Sequence, residues 1–160
     1  MGSGATSALD LLVFDLGGHT YGLPSRDVVE LLRAVAITPL PNGPGIVAGV
    51  INLRGRIIPV FDLRVRFGMM SPPVEPSDHF IVARARRRVV ALRADRAMKV
   101  CTIAPEDLTE AERIVSGTQY IAGLAKIEGD VVVIHDLDAF LSEAESATLD
   151  RAMGAAPEAS

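Results

Sequence analysis

The sequence predicts a mainly β fold made of two small barrel-like units packed side by side. Two observations carry this. Short apolar runs recur between Gly- and Pro-rich turn signals along the 160 residues. The pattern also occurs twice, and each copy holds about five short strands, the number of a small closed barrel. A single β-sandwich whose strands merely look alike is the competing architecture.

Residues 1–8 read as a loose tail. Asp10 to Leu16 and Tyr21 to Leu23 flank the turn signal Gly17-Gly18-His19-Thr20 and read as a hairpin. Ser25 can cap a short helix, with Asp27 in its first turn and Val28, Leu31 and Leu32 on one face. Pro41-Asn42-Gly43-Pro44 is a loop. Ile46 to Leu53 and Arg56 to Leu63 are strands around the tight turn Arg54-Gly55. Pro59 lacks an N–H, which implies an edge position or a bulge. Ser71 to Pro76 is a connector. Phe80 to Ala83 and Val89 to Leu92 flank an arginine-rich turn, and Met98 to Ile103 is another strand. Pro105 to Arg113 reads as a short helix, and Tyr120 to Ile127 with Val131 to Ile134 as a hairpin about Gly129. Ser142 and Glu145 have capping-box spacing, which starts a C-terminal helix running to about Met153, before a tail at 155–160.

The repeat sets the domain organisation. An offset of 69 positions puts Leu11-Leu12-Val13 on Phe80-Ile81-Val82, Leu23 on Leu92 and Leu31 on Val100. An offset of 74 puts Ala48-Gly49-Val50 on Ala122-Gly123-Leu124, Gly55 on Gly129 and Asp62-Leu63 on Asp136-Leu137. The copies span about 9–70 and 78–141 of one domain at 9–154, with the helix at about 142–153. Apolar and glycine positions agree between the copies, whereas polar ones diverge. Glu30 falls on Lys99, Asn52 on Lys126 and Arg54 on Glu128. Shared positions build the fold, and unshared polar ones are free to serve a partner.

Composition narrows the function. A net charge of −4 and 4% aromatic residues, with no Trp, oppose a nucleic-acid binder, which needs a basic stripe or stacking platforms. A small-barrel oligonucleotide binder stays the distant alternative. No apolar run approaches membrane-spanning length, so no direct membrane insertion is expected. Cys101 is the sole cysteine, which suits a reducing compartment and a buried, inert thiol. His19, His79 and His135 have no zinc spacing, and no Gly-rich phosphate loop opens a helix. No catalytic residue, metal or cofactor is expected. Asp62-Leu63 and Asp136-Leu137 repeat, so strand-end structure explains them better than acid–base chemistry.

Tyr21-Gly22-Leu23-Pro24, Val28-Val29-Glu30-Leu31, Pro39-Leu40-Pro41-Asn42 and above all the block Gly49 to Arg64 (GVINLRGRIIPVFDLR) resemble the CheW family of chemotaxis coupling proteins. The second half is similar more loosely, through Val100, Tyr120-Ile121-Ala122-Gly123 and Asp136-Leu137. The resemblance implies two tandem five-stranded SH3-like β-barrel subdomains. It implies a non-catalytic cytoplasmic adaptor, recruited to receptor arrays at the inner membrane. Its partners would be the cytoplasmic tip of a methyl-accepting chemoreceptor, held in a groove between subdomains, and the regulatory domain of a CheA-type histidine kinase.

Position by position, the resemblance makes Arg54 the turn arginine important for coupling, Glu30 a glutamate near it, and Val28 a receptor-facing apolar residue. Gly49, Asn52 and Gly55 belong to the same motif. Structural readings stand beside these. Gly55 can simply supply positive φ, Val28 can be core, and an exposed Arg54–Glu30 pair adds no more than ~1 kcal/mol. Three features depart from the family pattern: His135 at an aliphatic position, Ala91 at a frequent glycine, and the basic turn Arg84, Arg86, Arg87, Arg88. They leave open a related kinase pathway governing pilus motility or development. For His135 a neutral core histidine is favoured over a switch or ligand, and for the arginines a solvated turn.

Overall fold

Long apolar runs such as Phe80-Ile81-Val82-Ala83 have no polar face to give to water, so their strands must be covered on both sides. A computed structural model describes residues 8–85, 88–110 and 121–154 and shows how this is done. The strands are β1 (Leu9–Leu16), β2 (His19–Pro24), β3 (Val28–Arg33), β4 (Val47–Leu53), β5 (Arg56–Phe61), β6 (His79–Arg84), β7 (Val89–Ala94), β8 (Arg96–Ile103), β9 (Leu108–Glu110), β10 (Ile121–Ile127) and β11 (Asp130–His135). The helices are α1 (Leu63–Arg66) and α2 (Glu143–Gly154).

The fold is mainly β, in two sheets, with strand orders β8-β1-β2-β11-β10-β9 and β3-β6-β7-β5-β4. Each sheet draws on both sequence copies. β1 and β2 join strands of the second copy, while β6 and β7 join strands of the first. Each join is a short parallel pairing, Val60 with Ala91 in one sheet and Ile134 with Gly22 in the other. The repeat offsets relate these two pairings to each other. Copies and sheets are therefore different partitions of the chain.

Apolar residues form three clusters. Leu11, Val13, Ile103, Ala125 and Ile134 fill the curl of the six-stranded sheet. Ile51, Ile58, Val60, Phe80, Val82, Val89 and Ala91 fill that of the other. Between the sheets lies the largest, holding Leu12, Phe14, Leu16, Phe61, Ile81, Ala83, Val90 and Leu92 among others. Along β1, β6 and β7, successive residues alternate between a sheet's own cluster and the shared one. Among the described residues the hydrogen-bonded ladders do not close; β3 and β4 end one sheet and β8 and β9 the other.

Several expectations change. The segment after Ser25 is only a 3₁₀ turn, Ser25–Asp27. Val28, Leu31 and Leu32 lie on strand β3, paired with β6, rather than on a helix face. The chain after Phe61 turns into α1, because the Asp62 side chain accepts from the Arg64 N–H at 3.1 Å. The Asp136 side chain accepts from the Asp138 N–H at the same distance, so both aspartates serve as local caps. Pro105 opens a 3₁₀ turn, Pro105–Asp107, and Leu108 already begins β9. The rest of the expected helix to Arg113, Tyr120, Arg86 and Arg87, and both tails apart from Ala8, lie outside the described residues.

Pro59 is on an interior strand, not at an edge. Its β4 partner, Val50, exchanges both backbone bonds with Thr38 instead, at 2.8 and 2.9 Å. The registered partners of β5 on β7 begin only at Val60. The missing N–H is thus required on neither side. At the C-terminus the capping box forms as expected. The Ser142 N–H donates to Glu145 and the Glu145 N–H to Ser142 Oγ, both at 3.0 Å.

Thr38 comes so close to β4 that only glycine fits at Gly49. A Cβ there would lie 2.3 Å from the Thr38 carbonyl oxygen and 2.6 Å from Ile37 Cγ2. Gly49→Ala should therefore destabilise the protein by about 1–3 kcal/mol. Urea denaturation measures this as a lower midpoint with an unchanged slope.

Candidate functional site

The β4–β5 hairpin has a two-residue turn. Arg54 and Gly55 both have positive φ, 52° and 86°, as a type I′ turn requires. Glycine adopts this freely, whereas arginine does so at a cost. Asn52 compensates, its side-chain oxygen accepting from the Gly55 N–H at 2.8 Å. The turn throws Arg54 outward, leaving its side chain 70% exposed.

Its guanidinium meets Glu30 of β3 in a two-pronged pair, with N–O distances of 2.7 and 2.8 Å. β3 and β4 are the two ends of one ladder, so this pair bridges the opening of that sheet. The Arg54 hydrogen bond, aided by its charge and opposed by partial burial, holds the Glu30 carboxyl below its ordinary value. The same bond and the carboxylate charge raise Arg54 above its own.

The second copy repeats the geometry with the charges exchanged. Glu128 and Gly129 have φ of 51° and 85°. Glu128 pairs with Lys99 of β8 at 3.6 Å. Lys99 and Glu128 are the residues that the repeat offsets place on Glu30 and Arg54.

The structure thus brings Glu30, Asn52, Arg54 and Gly55 together. The other two expected residues have structural duties. Val28 packs against the shared core, and Gly49 is fixed by Thr38. Missed in the sequence were Val29 and Leu31, exposed on the outer face of β3 beside Glu30. Read as a strand, their alternation with Val28, Glu30 and Leu32 would have placed them. Val100, the repeat equivalent of Leu31, is exposed on β8.

The remaining features belong to packing. Arg88 is ion-paired with Asp150 of α2. His135 is buried in an aromatic cluster, with ring centroids 4.7 Å from Tyr21 and 5.0 Å from Phe67. Among the described residues no three acidic, His or Cys side chains are grouped to hold a metal ion. No helix there is long and apolar enough to cross a membrane.

Comparison with known proteins places this geometry in context. The CheW-like domain family matches residues 10–145. The chemotaxis protein CheW of Klebsiella aerogenes is 30% identical, with 92% of this chain and 90% of that protein covered. The probable chemotaxis protein CheW of Rhizobium etli is 32% identical over 86% of this chain and 90% of its own length. The crystal structure of the scaffolding protein TtCheW from Thermoanaerobacter tengcongensis superposes with a TM-score of 0.74 at 30% identity, covering 81% of this chain and 90% of that one.

Because Arg54 is what depresses Glu30, Arg54→Ala should return the Glu30 carboxyl towards its ordinary value near 4.5. Carboxyl NMR titration of both proteins reads this directly. The sign follows from the depressed folded value. Any stabilisation by the pair is fully present above the unfolded value, fades as pH falls through the lower folded one, and is absent from the variant.

Proposed function

The chain belongs to the CheW-like domain family, and from that premise we propose how it works as a non-catalytic adaptor of chemotaxis signalling. It couples the cytoplasmic tip of a methyl-accepting chemoreceptor to the regulatory domain of a CheA-type histidine kinase, in the cytoplasm and at receptor arrays on the inner membrane. The observation that carries the site assignment is Arg54. An exposed ion pair contributes at most ~1 kcal/mol to stability, yet this one sits on an arginine held at positive φ. A costly backbone conformation kept for so small a gain suits a side chain retained for contact with a partner.

In this reading Arg54 and Glu30 form the charged part of a contact surface. Val29 and Leu31 supply the apolar part on the same edge strand. Asn52 and Gly55 hold the turn, and Val28 and Gly49 support it from the packed side. The groove between the two sheets receives the receptor tip. Two partners are then bound at once on different surfaces, with only local adjustment of this protein.

Arg54→Glu sets a carboxylate against Glu30 on an exposed turn. The variant should keep the melting temperature of the parent within a few degrees, because little stability resides there. In pull-downs from the native organism's cytoplasmic and membrane fractions, the parent should retain a chemoreceptor and a CheA-type kinase, and the variant should lose one of them. A folded variant that keeps both would remove Arg54 from the contact surface. Unfolding would make it structural.

A further inference from the structure

We propose that the cavity between α2 and the β6–β7 hairpin is a docking site for a short segment of another protein, one that carries a large apolar side chain next to lysine or arginine. The cavity has a volume of about 440 Å³, within the ~300–1,000 Å³ of binding pockets. Phe61, Val90 and Leu137 at its lining belong to the shared core. Ala85 and Ala147 also line it, and side chains so small leave the core uncovered at this point. Displacing water from such a patch favours an apolar occupant.

The rim decides which apolar occupant. Asp138, Glu143 and Asp150 bring three carboxylates against the single guanidinium of Arg88, which is ion-paired with Asp150. The acidic character extends beyond the cavity. The Asp27 carboxyl is pushed up first by burial, against the pull of Arg26, and then by the charges of Asp138 and Asp136. Since no metal-holding group is found among the described residues, the complementary cation is an organic one. An apolar floor under a negative rim fits a basic and apolar segment, with the charge selecting it and the floor retaining it. None of the lining residues belongs to the Glu30–Arg54 site, so both sites can be filled together.

The test is an NMR titration of the ¹⁵N-labelled full chain with acetyl-Leu-Lys-Leu-Lys-amide and with acetyl-Leu-Glu-Leu-Glu-amide. The lysine peptide should produce saturable amide shifts centred on Ser142 to Asp150. The glutamate peptide should bind about tenfold more weakly or not at all. Ala147→Trp fills the cavity from an exposed position on α2 and should abolish the shifts. Glu143→Lys, also exposed, should weaken binding by about tenfold. Thermal melting confirms that each variant is folded, and either one suffices if the other is not. Equal binding of the two peptides overturns the proposal. So do shifts that fail to saturate at millimolar lysine peptide, or undiminished binding by a folded variant.

Discussion

The shared core between the sheets is the interaction on which the rest of the structure depends. β1, β6 and β7 each send alternate residues into it and the intervening ones into the curl of their own sheet. A strand buried on both faces has no tolerance for a register slip, because either face exposed would lose its apolar burial. That constraint fixes the order of both ladders. It also fixes α2, whose Leu149 closes one side of the shared core while Arg66 and Glu145 clamp the helix to α1 at 2.8 and 3.0 Å.

The exchange of strands follows from the same requirement. β6 and β7 begin the second copy, yet their hydrogen-bonding partners are β3 and β5 of the first. Neither copy can complete a sheet alone, so the two must fold together. The exchange leaves the ladder ends at β3 and β4 in one sheet and β8 and β9 in the other. Exposed ends invite unwanted pairing. Glu30 with Arg54, and Lys99 with Glu128, place a charge pair at each opening. Buried positions carry the stability, so the charged ones are free to diverge between copies.

Local signals were legible in the sequence and distant pairings were not. Gly17-Gly18, Arg54-Gly55 and the Ser142–Glu145 box each act within a few residues, and each marks a turn or cap that the structure contains. Val28, Leu31 and Leu32 fit helical spacing as well as a strand with an exposed outer face. What decides between them is the pairing with Ala83, Ile81 and Phe80, far away in the chain. Pro59 was read by a rule about edges, whereas its place is allowed by Thr38, which takes the hydrogen bonds of Val50. Strand exchange left no trace in composition or period, because two copies look the same whether or not they trade strands. Of the candidate site, the resemblance located Arg54 and Glu30, while the repeat offsets alone located the counterpart pair at Lys99 and Glu128.

That counterpart bears on how a scaffold keeps its surfaces distinct. Two copies of one unit would ordinarily offer two similar faces, and a partner for one would then compete for the other. Here the backbones of the two turns agree to within a degree in φ at each position, 52° and 51°, then 86° and 85°. The side chains on them have opposite charge. A carboxylate placed to meet Arg54 is repelled by Glu128, and a cation placed to meet Glu30 is repelled by Lys99. Like-charge contacts discriminate more sharply than attractive ones of the same size, because a wrong partner must bring the repelling groups together without compensation. Keeping the turn geometry while exchanging the charges makes the two faces electrically opposite at no cost to the core beneath them, which is the property an adaptor needs to hold two different proteins at once.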